Sequence, residues 1–151
     1  MRKIYLRFFL FTISFSLLSG LAQGQVSLTT LGTPSTENFD VLATAGAANT
    51  WTDNTTLAGW YAEFQLQAGN PTTYRADAGG NNTGAIYSWG VAATNPLTER
   101  AFGSISSGTP GTIYKAVRLV NNTGVTITSL DINFTGEQWR EGGCAMAPCP
   151  A

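Results

Sequence analysis

Histidine is absent from this chain, and that absence removes more chemistry than any residue present supplies. Without imidazole there is no Ser-His-Asp or Cys-His nucleophile, no histidine general base and no histidine zinc site. The sequence therefore reads as non-enzymatic. Charge is scarce too: eight Lys and Arg and nine Asp and Glu are spread over 151 residues. No basic cluster offers a footprint for a phosphate backbone, which argues against a nucleic-acid partner. No basic amphipathic helix is available for a membrane surface. The only cysteines, Cys144 and Cys149, crowd the last eight residues. A disulfide between them would close too small a loop to stabilise the remaining chain. A zinc site would need a second thiolate pair or imidazoles, so no metal and no cofactor is expected. The glycines at 103 and 108 have the spacing of a phosphate loop, but Thr109-Pro110 stands where Lys-Ser/Thr is required.

Long apolar runs are missing except at the start. Arg2, Lys3 and Arg7 precede an uncharged apolar stretch at 8–18, and Ala22-Gln23-Gly24 places small residues at a cleavage point. The pattern predicts a secretory signal peptide over 1–24, since eleven apolar residues are too few to span a bilayer. The expected destination is secreted or periplasmic, with no membrane association after cleavage. Cutting after Gly24 leaves 127 residues, enough for one domain. Five cations then face nine anions, a net charge of −4.

What the mature chain does have is Thr, Asn, Gly and aromatic residues, a composition suited to half-buried pleated surfaces. Short β-like runs are expected at 26–31, 38–42, 59–66, 72–76, 85–89, 100–105, 113–120 and 125–138. Turn-forming clusters separate them, among them Gly69-Asn70-Pro71, Gly79-Gly80-Asn81-Asn82, Thr94-Asn95-Pro96 and Gly108-Thr109-Pro110-Gly111. No stretch carries a convincing helical stripe. The fold class expected is all-β, an antiparallel β-sandwich over 25–142, followed by an irregular Cys/Pro tail at 143–151. The clearest local unit is a hairpin joining 113–120 to the run from Val125 through Asn121-Asn122-Thr123-Gly124. Beyond it the apolar phase slips near Thr128-Ser129, which predicts a β-bulge or corner there.

Candidate ligand contacts are aromatic. In a strand, Glu137 and Trp139 share one face and Gln138 and Arg140 the other. A flat indole among polar neighbours could serve as a sugar platform. The plainer reading, which is preferred, packs Trp139 at a sandwich edge and pairs Arg140 with Glu99 or Glu137. Trp60 and Trp89 are candidates under the same choice. An exposed, coplanar set of tryptophans would favour sugar binding, and burial would weaken it. Two-carboxylate glycosidase chemistry has candidates in Glu63, Glu99, Asp131, Glu137 and Glu141, but no spacing pairs any two. The Asp77-Ala-Gly-Gly-Asn81-Asn82 loop is rich in oxygen ligands, yet one carboxylate suits an Asx-capped turn better than calcium. Partners expected from this inventory are an extracellular polysaccharide or a surface protein.

Several ordered motifs add a resemblance. Glu37-Asn-Phe-Asp-Val-Leu-Ala43, Leu57-Ala-Gly-Trp-Tyr61, Thr73-Tyr-Arg-Ala76, Gly84-Ala-Ile-Tyr-Ser-Trp89, Glu99-Arg-Ala-Phe-Gly-Ser104 and Val117-Arg-Leu-Val-Asn-Asn-Thr-Gly124 occur in that order, followed by 136–140. Together they resemble the N-terminal module of secreted bacterial multidomain proteins that carry a C-terminal sorting signal. Some of those proteins also carry immunoglobulin-like, lamin-tail or nuclease domains. The resemblance implies a jelly-roll-like β-sandwich with an adhesive, recognition or accessory role, and it supplies no catalytic residue. In that family further strands follow the Gly-Glu-Gln-Trp-Arg segment. Here a Cys/Pro tail follows instead, so the expectation is a module cut short, with an unpaired edge and an uncovered apolar face near 121–140.

Overall fold

β5 (Ala85–Trp89) is the strand around which the rest is arranged. Its sequence AIYSW is apolar or small on both faces, and four of its five residues are buried, as a strand covered on both sides requires. The computed structural model describes residues 25–91 and 99–140. The leader at 1–24, the Thr94-Asn95-Pro96 break and the Cys144/Cys149 tail lie outside them. Within the described residues the chain is all-β, with no helix and hence none long and apolar enough to cross a membrane.

The strands in chain order are β1 (Val26–Leu28), β2 (Asn49–Thr50), β3 (Trp60–Phe64), β4 (Thr73–Asp77), β5, β6 (Ala101–Ile105), β7 (Ile113–Val117) and β8 (Leu119–Asn121). A four-stranded sheet has the order β2-β4-β5-β6, and β3-β7 and β1-β8 form two-stranded ribbons. Tyr74, Ile86 and Phe102 on the large sheet face Ala62, Phe64 and Ile113 on the β3-β7 ribbon. Leu42, Trp51 and Leu57 fill the space between from the connecting loops. The arrangement is sandwich-like: two pleated layers bury one apolar seam.

Aspartate organises one end of that seam. Asp53 Oδ1 accepts from Trp51 Nε1 at 2.7 Å and from the Ala62 amide at 3.0 Å, and its Oδ2 accepts from Asn70 Nδ2 at 2.7 Å. A buried indole and a strand amide are thereby both satisfied by one carboxylate.

The pairing is mixed where an antiparallel fold was expected. β2-β4, β3-β7 and β5-β6 are antiparallel, whereas β4-β5 and β1-β8 are parallel. Parallel neighbours normally need a crossover of a dozen or more residues, yet only 78–84 join β4 to β5. Turn chemistry makes the short return feasible. Asp77 Oδ1 accepts from the amides of Gly79 and Asn81, at 2.8 and 3.2 Å, and Asn81 Oδ1 accepts from Thr83 N at 2.8 Å. Gly79 supplies a φ of +99°. The oxygen-rich loop is thus the Asx-capped turn expected of it.

Three further expectations fail. Residues 38–42 form a turn, not a strand. Asn38 Nδ2 donates to Asp40 Oδ2, the Phe39 amide donates to Glu37 Oε1 and the Asp40 amide to Asn38 Oδ1, which competes with any ladder. Phe39 is held at a φ of +62° while its ring meets Trp60 edge-on at 5.1 Å. The 113–120 run is extended, but it changes partners at Arg118. That residue's amide donates to Gly59 O and its carbonyl accepts from Val26 N. β7 therefore pairs with β3, and β8 with β1.

The third failure is the hairpin. Asn121, Thr123 and Val125 make the expected tight turn, and Gly124 sits at a φ of +78°. No return strand follows: 125–138 joins no ladder, so there is no bulge at Thr128-Ser129 either. A turn is satisfied locally, whereas a strand needs an edge and a covered face. Here Leu130, Ile132 and Phe134 are exposed, Phe134 at 88 %.

Candidate functional site

A cavity of about 1880 Å³ opens along the free edge of β6. All five β6 residues line it, with Phe39 and Trp60 beyond one face of the strand and Trp89 on the other. Its far wall is the segment 126–140, which joins no ladder and is hereafter called the strap. The strap's end is fixed by the β4-β5 turn. Arg140 Nη1 donates to Asn81 O at 2.6 Å, and the Trp139 carbonyl lies so close to Gly79 that a Cβ there would overlap it.

The five residues singled out from the sequence, Trp60, Trp89, Glu137, Trp139 and Arg140, all line this one cavity. They do not form an aromatic platform. Trp89 is buried and stacks on Tyr87, with centroids 4.1 Å apart and planes 6° apart. Trp60 is half-buried and packs edge-to-face against Phe39 and Phe102. Trp139 is half-buried and donates its indole N–H to Glu137 Oε2 at 2.8 Å, although the segment is not the strand in which the two were expected to share a face. Arg140 was expected to pair with Glu99 or Glu137. It bonds to the Asn81 carbonyl instead, because the strap lies over the turn that presents that oxygen.

Arg100 went unmarked in the sequence, and it is the most unusual group at the site. It is only 3 % exposed at the head of β6. Its Nε donates to Ser88 Oγ at 2.8 Å, its Nη2 to Ser88 O, and its backbone amide to Asp40 Oδ1. Among the described residues Nη1 has no acceptor, and neither has the buried Nε1 of Trp60, which lines the same cavity. Burial lowers the Arg100 pKa, while Glu99 and Tyr74 act in the opposite sense. The signal available in the sequence was a lone cation before an apolar run, which is indistinguishable from a solvated strand end.

Lys115 reaches from β7 to β6, its Nζ donating to Ser104 Oγ at 2.7 Å. The residue is exposed overall, yet its ammonium is desolvated enough at the cavity wall to lower its pKa. On the other face of the sheet, burial raises the Tyr87 phenol, whose O–H donates to Thr83 O at 2.7 Å.

Glu99, Asp131 and Glu137 line the cavity, Glu63 lies exposed on β3, and Glu141 is outside the described residues. Among the described residues no group of three or more metal-ligating side chains occurs. The cavity wall thus combines apolar strand, unpaired donors and dispersed carboxylates. Its volume exceeds the roughly 300–1,000 Å³ of small-molecule pockets. No family matches this chain, and neither does any curated protein or any solved structure.

Proposed function

We propose that the chain is a non-catalytic recognition module of an exported bacterial protein, a jelly-roll-like sandwich that binds an extended polypeptide along β6. The observation carrying this reading is the single cavity that gathers all five candidate contact residues beside a strand edge. An edge presents a row of unpaired N–H and C=O groups, which an incoming extended segment completes as an added strand. The size of the cavity suits a stretch of chain better than a compact metabolite. The layer order supports the jelly-roll part, since the chain crosses between the large sheet and the ribbons at β1-β2, β2-β3, β3-β4 and β6-β7. Export and membership of the sorted-protein module rest on the leader and the ordered motifs.

A polysaccharide ligand is the second reading. Trp139 favours it, held by Glu137 beside Arg140 on the cavity wall. Tryptophan fluorescence of the purified chain, titrated with alternating apolar peptides and separately with neutral and acidic oligosaccharides, tests both. Saturable change with peptide is the expected result. Saturation with an oligosaccharide, abolished in Trp139→Ala, would transfer the assignment to sugar binding. No response to either would overturn the recognition role.

A further inference from the structure

One wall of the cavity is an unfinished β edge, and the other is a segment that joins no ladder. β6 ends its sheet, and nothing among the described residues pairs with its outer side. Natural edge strands are guarded by charges, prolines or bulges. β6 reads AFGSI and has none of these within it, and it is half-buried along its length. Across the cavity, residues 126–136 make no hydrogen bond to any described group. Within them Leu130, Ile132 and Phe134 are spaced two apart, the period that would put them on one face once the segment is paired as a strand, and they are 49, 72 and 88 % exposed.

One chain therefore carries an acceptor edge and an unpaired segment of alternating apolar residues, and the two do not meet. The Asn121-Val125 turn and the Trp139-Arg140 clamp hold the strap along the far wall at its two ends. We infer that β6 receives the 126–134 segment of a second copy, reciprocally, in a strand-exchanged dimer. This rests on reading the cavity as a polypeptide-recognition site. The one ionised side chain within 126–134 is Asp131, and the cavity beside β6 presents the cations Arg100 and Lys115 together with Glu37 and Glu99. Among the described residues neither cation is in an ion pair, and Arg100 Nη1 has no acceptor. A two-fold arrangement uses the same patch on both copies and closes on itself, so it stops at a dimer.

The test is sedimentation velocity of the full chain over a wide concentration range, beside titration of a fluorescent peptide of sequence 125–135. The expected result is a concentration-dependent dimer competed by the peptide. Ile132→Lys or Phe134→Lys, at exposed positions that cannot upset the core, should raise the dimer dissociation constant by about tenfold or more. Peptide binding by a chain that stays monomeric would overturn the dimer and leave the recognition reading standing. A dimer indifferent to both substitutions and to the peptide would overturn strand exchange. Failure of both self-association and peptide binding would remove the recognition reading as well.

Discussion

Tyr87 and Trp89 leave β5 on the same face, two residues apart, and lie flat against each other at 4.1 Å. On the neighbouring strand Gly103 faces Tyr87 in register, and a Cβ there would overlap Trp89 Nε1. The indole thus occupies the space a side chain at 103 would take.

That contact gives the first prediction. Gly103→Ala should destabilise the fold by about 1–3 kcal/mol, because the methyl overpacks against a ring that Tyr87 prevents from moving. Urea unfolding measures the loss, and near-ultraviolet circular dichroism should show the displaced tryptophan. A Gly103→Ala variant as stable as the parent would mean that the stack is loose.

Asp53 carries the second. Asp53→Ala leaves Trp51 Nε1 and the Ala62 amide without their acceptor, at a cost of about 1–3 kcal/mol for each buried group. Asp53→Asn keeps an acceptor oxygen and should lose less. Equal stability of the two variants in denaturant titration would contradict the bridging role.

The third concerns alkaline pH. The folded-state pKa of Tyr87 lies above the ordinary 10.0, chiefly through burial, with Arg75 and Arg140 acting to lower it and Asp77 to raise it. Above pH 10 the unfolded chain releases this proton while the folded chain retains it. The folded state then binds more protons, so stability present below that value declines as pH rises through it. Lys115, with its pKa lowered, acts in the opposite sense as pH climbs towards 10.5. Chemical denaturation from pH 8 upward, in the parent and in Tyr87→Phe, should show the steeper alkaline decline in the parent. Parallel curves would remove Tyr87 as the cause.

Strand existence was legible in the sequence far more than strand pairing. β5 occupies the expected 85–89, and β3, β4 and β6 lie within two residues of their expected bounds, because apolar runs between glycine and proline breaks are local signals. β2 was missed, since Asn49-Thr50 is two polar residues whose pairing with Tyr74 and Thr73 comes from the partner strand. The five candidate contact residues were legible as types, but Arg100 was not, since only burial distinguishes it from an ordinary surface cation.

By itself, the sequence determined an all-β chain without imidazole chemistry, the turn at Asp77–Thr83 and the strand character of 85–89. These depend on neighbours in the chain: side-chain alternation, proline and glycine dihedrals, and Asx side chains bonding amides two residues away. Tertiary structure alone decided that β4 and β5 run parallel, that residues 113–121 change partners at Arg118, and that the 125–138 run stays out of every ladder. A strand forms only where distant segments close a loop and offer both an edge and an apolar face. That condition is not written in any window of neighbouring residues.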